Sequence, residues 1–411
     1  MQRLSPITAL IVATVVAACS GAEPPAFGEP SPLPVPAGTN VVGPRFATGP
    51  DGNIVLSWMQ RGESGATLRF STLKSDKWQA AVDVVSDPRM FVNWADLPSV
   101  TPLGNTHWVA HWLSKSADST YAYDILLAQS SDQGKTWTDP VRPHNDGTPT
   151  EHGFVSIHAE GDSAALLWLD GRKTVNEATD DPGVTSMTLR SALIGPDGEV
   201  RNEQLVDEIV CDCCQTGVAV SSDGPIAVYR DRTVNEIRDI YVSRFANGAW
   251  QPGTPIADDG WEIEGCPVNG PAIDAQGDLV AIAWFSAANG NPVVRAALST
   301  NGGRTFKAPV EIASRGSSGH VGIAIIDRDS VAVSWVASDN RGANAINIRS
   351  LTTGRTLGPA QTVGRTDLIR LYPQMIRSDD MLILAWTDEI MDDPEIVSIR
   401  VPILGFYDRR Q

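Results

Sequence analysis

A short apolar run closing on an aromatic side chain recurs seven times along this chain, at Trp58, Trp112, Trp168, Tyr229, Trp284, Trp335 and Trp386. Successive aromatics lie 54, 56, 61, 55, 51 and 51 residues apart. A unit of that period is too small to bury its own faces, so such units must stack on one another. A turn such as Gly49-Pro50-Asp51-Gly52 or Asp274-Ala275-Gln276-Gly277 precedes several of the runs, and another short strand precedes that turn. With 36 Gly, 28 Pro and no long amphipathic helical pattern, the chain reads as all-β. Each unit is expected to run strand A, tight turn, strand B ending in the aromatic, longer loop, strand C, turn, strand D. Four-stranded antiparallel units arranged radially make a β-propeller. Seven units point to seven blades, with six the alternative count. One aromatic per blade is expected in the core and is given no binding role.

A second repeat marks the C–D turns. Ser130-Ser131-Asp132-Gln133-Gly134-Lys135-Thr136-Trp137 places a turn-forming Asp and Gly between a serine and an apolar plug. Ser299-Thr300-Asn301-Gly302-Gly303-Arg304-Thr305-Phe306 repeats it, and Ser71/Trp78 and Ser243/Trp250 keep the same spacing. The block resembles the Asp-box (bacterial neuraminidase repeat) of the sialidase-like β-propellers. The resemblance runs from about Arg45 to the C-terminus. It implies that architecture, although true sialidases have six blades. The last unit has little after its C strand, so the segment before Arg45 is expected to supply the outer strand and close the ring.

The first 40 residues read differently. Arg3, an apolar run over residues 7–18 and small residues at its end form an export signal too short to span a bilayer. Val16-Ala17-Ala18-Cys19 resembles a bacterial lipobox, which implies cleavage before Cys19 and lipidation of its thiol. Residues 1–19 are therefore taken as the signal, 20–40 as a Pro-rich tether and 41–411 as one propeller domain. No Asp follows the cysteine, which by analogy places the anchor on the periplasmic face of the outer membrane. A net charge of −17 argues against nucleic acid as a partner. A monomer on the cell envelope, meeting a glycan or an envelope protein, is expected.

Strand direction alternates within a blade, so the A–B and C–D turns share one face. The B–C loops and the crossovers ahead of each A strand share the other, the upper mouth of the channel. That mouth collects His152, Cys211, Asp212, Cys213, Cys214, Gln215, Cys266 and His320 as candidate ligand-binding residues. With Cys19 assigned to lipid, four cysteines remain in an exported chain. Disulfides are one reading of them. The other is a soft-metal or redox site for copper or zinc, made of Cys211, Cys213, Cys214 and Cys266 with His152 or His320.

The family resemblance implies three arginines on a substrate carboxylate, a Tyr nucleophile aided by Glu, and an Asp acid/base. Candidates are Arg45, Arg230, Arg238, Arg370, Tyr372 and Asp96, although the family's Arg-Ile-Pro run is absent. Three functions follow: a binding module at the mouth, a sialidase-type glycoside hydrolase, and a metal or redox propeller.

Overall fold

The computed structural model describes residues 23–175, 185–338, 343–368, 372–390 and 393–405, the last two of the fourth stretch by backbone only. Cys19 and Arg370 lie outside the described residues. The strands form seven antiparallel sheets arranged as a seven-bladed propeller. The innermost strands, in order, are Val41–Thr48, Ser99–Pro102, His152–Glu160, Gly217–Ser221, Ala272–Gln276, Ser317–Asp327 and Gln374–Ser378. Each is followed by the run that carries the aromatic, which forms the second strand of its blade.

All seven aromatics are buried, from Trp58 at 0% exposure to Trp335 at 5%. The apolar side chains divide into seven clusters, one between each pair of neighbouring blades. Trp168 joins Val109 and Ile125 of the second blade, while Leu56 and Trp58 join Ile383 and Ala385 of the seventh. Burial of both faces of every blade is what the ring provides. Blade 2 departs from the four-stranded pattern: its outer position holds a single bridge from Leu127 to Val141.

The N-terminal segment closes the ring. Ala26–Phe27 and Ser31–Pro32 pair antiparallel with Asp393–Leu404, the third strand of blade 7. The expected tether therefore does not run as a free linker to residue 40, since Leu33 and Ala37 are buried as well. Proline suits this edge because it needs no partner for a backbone N–H.

The two best turn repeats share one hydrogen-bond pattern. Ser130 Oγ accepts from Gly134 N (2.8 Å) and donates to Asp132 Oδ1 (2.8 Å), which in turn accepts from Thr136 N (2.9 Å). Ser299, Asn301, Gly303 and Thr305 repeat these contacts. Gly134 sits at φ 78°, where an added Cβ would meet the Phe70 ring at 2.6 Å. Gln133 N donates to Thr106 O in the A–B turn of the same blade, so the two turn types share the lower face.

Candidate functional site

The upper mouth is shaped by irregular inner strands. Register shifts fall at corresponding places in blades 1, 3 and 6, between Val42 and Arg45, Gly153 and Ser156, and Gly319 and Gly322. Phe154 (φ 54°) and His320 (φ 48°) adopt left-handed backbone at two of these bulges. Each is held the same way: Asp96 Oδ1 accepts from Phe154 N and Asn269 Oδ1 from His320 N, both at 2.8 Å. Gln215 ties the mouth together, donating to Ala95 O (2.9 Å) and accepting from Gly270 N (3.0 Å).

The cysteines meet here because of how blades 3, 4 and 5 connect. Cys211-Asp212-Cys213-Cys214 is the crossover from Val200–Val210 into Gly217–Ser221, and Cys266 precedes the inner strand Ala272–Gln276. Cys213 and Cys266 form a disulfide with their Cα atoms 6.0 Å apart, within the usual span. Cys211 and Cys214 are free and buried, at 1% and 2% exposure. The sulfurs of Cys211, Cys213 and Cys266 lie within 4.8 Å of one another.

Charge shapes this cluster. Arg238 Nη1 donates to Cys211 Sγ at 3.6 Å, with the same guanidinium paired to Glu236 at 2.8 Å. Burial opposes ionisation of Cys211, but the hydrogen bond from Cys214 and the charges of Arg230 and Arg238 win and hold the thiol down at about 7. Burial, with Cys211 beside it, pushes the Cys214 thiol well up. Asp212 caps the group from outside, 3.3 Å from Arg232.

The candidate sialidase arginines are otherwise engaged. Arg45 donates to Leu97 O (3.0 Å) and Val155 O (2.9 Å). Arg230, at 2% exposure, donates to the carbonyls of Asn269, Arg238 and Phe285 at 2.6 to 2.9 Å and stacks on Trp261 at 4.7 Å. Tyr372 is partly buried, its ring 5.2 Å from that of His320, which also meets Trp94 edge-on at 5.8 Å. Burial pushes the Tyr372 hydroxyl up, with Cys214 adding to it.

Asp96 has a partner that strand order alone did not single out. Tyr123 OH lies 2.6 Å from Glu151 Oε1 and 3.2 Å from Asp96 Oδ2. A phenol donates one proton, so one of the two carboxyls must itself be protonated for both contacts to hold. Burial pushes Asp96 up to about 7 and Glu151 up to about 8, Glu151 further by the charges of Asp96 and Asp212. Tyr123 opens strand C of blade 2 and bridges to Glu151 in the crossover to blade 3, a pairing no sequence signal marks.

His152 belongs to another group. Its Nδ1 faces the carbonyls of Tyr123 and Thr150, and its Nε2 meets Asp146 Oδ2 at 3.1 Å. Both nitrogens therefore face acceptors, and Asp146 and Asp170 raise its pKa against the opposing effect of burial. His144 stacks on it at 3.8 Å. The mouth thus brings the four cysteines together with Arg230 and Arg238 and leaves His152 in a separate, internally satisfied cluster. A cavity of ≈ 1460 Å³ lies at the opposite, lower end of the channel, lined by residues such as Ala219, Asp274, Ile325 and Met375.

No protein-family model matches the chain, and no curated protein matches its sequence. Solved structures do resemble it. A protein of unknown function from Dyadobacter fermentans is 13% identical, covering 93% of this chain and 100% of its own, with a TM-score of 0.52. A Trypanosoma rangeli sialidase is 12% identical, covering 81% of this chain and 57% of its own, at TM-score 0.45. A Penicillium chrysogenum α-L-arabinanase is 14% identical, covering 94% and 99%, at 0.46. Sialidases and other propeller glycosidases are among the structures this chain resembles, and what it shares with the Dyadobacter protein at 13% identity is the fold.

Proposed function

We propose that this chain is an exported, lipid-anchored propeller of the Asp-box, sialidase-like kind that holds a soft ligand at its upper mouth through the cysteine cluster. The observation that carries the reading is the convergence of the Cys211, Cys213 and Cys266 sulfurs within 4.8 Å. Thiolates select Cu(I) or Zn(II) over harder ions. An external thiol that reduces the Cys213–Cys266 bridge leaves four thiols in one place, with Cys211 already close to ionisation at neutral pH. Among the described residues neither His152 nor His320 joins the Cys211, Cys213 and Cys266 sulfurs within 4.8 Å, so the ligand set is cysteine alone. Lipid on Cys19 would hold the propeller at the periplasmic face of the outer membrane.

The test is to titrate the reduced protein with Cu(I), and separately Zn(II), against a chromophoric competitor. One ion per chain is expected, lost in the Cys211→Ser/Cys266→Ser double variant. No retention by the reduced wild type overturns the reading. Labelling with a palmitate analogue, abolished by Cys19→Ala, tests the anchor.

One observation favours a glycosidase instead: the Tyr123–Glu151 pair with Asp96 beside it. Against it stand the complete burial of Tyr123 and the carbonyl partners of Arg45 and Arg230. Fluorogenic sialosides and arabinosides decide: turnover that disappears in Glu151→Gln would replace the first reading.

A further inference from the structure

We infer that the four cysteines form a two-electron relay, in which the outer Cys213–Cys266 disulfide exchanges with the inner dithiol of Cys211 and Cys214. The inference rests on taking the cluster as the working part of the mouth, and is independent of whether it binds an ion. Cys211 and Cys214 have the Cys-x-x-Cys spacing, which suits a reversible intramolecular bridge. They are buried, whereas Cys213 is partly exposed and Cys266 is exposed. A solvent-borne reagent therefore reaches the disulfide and not the dithiol behind it. The attacking distance is already short, with the Cys211 sulfur within 4.8 Å of both sulfurs of the bridge.

Arg238 Nη1 donates to Cys211 Sγ at 3.6 Å, which sets a positive charge beside the attacking sulfur and favours attack by this cysteine in exchange. In the first step the Cys211 thiolate attacks Cys266 Sγ. The Cys211–Cys266 bond forms, the Cys213–Cys266 bond breaks, and Cys213 leaves as a thiolate. This product still links blades 4 and 5, while a Cys211–Cys213 bridge between near neighbours in the chain would be tight. In the second step the Cys214 thiol gives its proton to the Cys213 thiolate and attacks Cys211 Sγ, and Cys266 leaves as a thiolate. One disulfide, two reduced sulfurs, one thiol proton and one negative charge stand on each side. The outcome is an inner Cys211–Cys214 bridge and an exposed pair of reduced cysteines. These can donate two electrons to the exposed disulfide of a partner, or take them back from a reduced dithiol.

The test uses the full chain purified without reductant and held anaerobically in chelator, so that metal binding plays no part. N-ethylmaleimide is added to the native protein over a time course, and fragmentation spectra of the peptides locate label and bridges. In the wild type, label is expected to accumulate on Cys213 and Cys266 while Cys211 and Cys214 become linked. Cys214→Ser should stop after the first step, with label on Cys213 and a Cys211–Cys266 bridge. Cys211→Ser should leave Cys213–Cys266 intact and unlabelled. The relay is overturned if wild-type label appears only on Cys211 and Cys214 after denaturation, with the outer bridge intact. Labelling of Cys213 and Cys266 that persists in Cys211→Ser overturns it equally.

Discussion

Replacing Asp96 by Asn should flatten the dependence of stability on pH. Asp96 is 0% exposed, and its carboxyl, pushed up to about 7, keeps its proton in the fold well above the 3.8 of an ordinary Asp. A folded-state pKa above the unfolded one adds stability that is complete below the unfolded value. That stability is lost as pH rises through the folded value. Between pH 5 and pH 7 the unfolded chain has already released this proton and the folded chain is only beginning to. Integrating proton uptake over that interval gives a loss of about 2 kcal/mol from this one group. Asn keeps the acceptor for Phe154 N–H and presents an amide to Tyr123, so the bulge survives while the titration disappears. His152, also raised, slopes the same way in both proteins and cancels in the comparison, whereas Glu151, held up in part by the Asp96 charge, titrates lower in the variant and flattens its curve further. Urea denaturation at a series of pH values should show the two curves converging or crossing by about 2 kcal/mol from pH 5 to pH 7. A wild-type minus Asp96→Asn difference that stays constant across that range would refute a protonated Asp96.

Arg238→Met should raise the pH at which the Cys211 thiolate appears, read from its ultraviolet absorbance, because a donor at 3.6 Å and its charge are lost. Arg230→Met should lower stability by several kcal/mol in chemical denaturation, since three buried carbonyls lose their donor at about 1–3 kcal/mol each. Gly134→Ala should cost about 1–3 kcal/mol through the clash with Phe70 and the left-handed backbone, with thiol labelling at the upper mouth unchanged. Trp168→Ala should cost about 3–5 kcal/mol in the same assay, opening a void between blades 2 and 3.

The blade count was legible because burial between blades forces one large aromatic into each unit, and spacing survives where sequence identity does not. Ring closure by the N-terminal segment was readable too, since the last unit lacks an outer strand. The Pro-rich composition of residues 20–40 hid how much of that segment is packed. At the mouth, crossover order correctly brought residues 211–214 beside Cys266. It did not foresee the carbonyl partners of Arg45 and Arg230, which depend on local backbone geometry that side-chain pattern does not encode. It placed His152 at the mouth without foreseeing Asp146, which reaches it from a crossover of irregular structure. The Cys-x-x-Cys spacing of Cys211 and Cys214 was visible in the sequence, although the adjacent third cysteine masks it.

The seam in blade 7 gives the ring a mechanical weak point. Most blade-internal joints are ladders several residues long, but this one rests on two residue pairs at Ala26–Phe27 and two more at Ser31–Pro32. Tension applied to the N-terminal end of the chain enters at Ala26 and meets those short pairings before any longer ladder. A pull from that side would peel the clasp and open the ring between its first and last blades, leaving the cysteine staple between blades 4 and 5 unloaded.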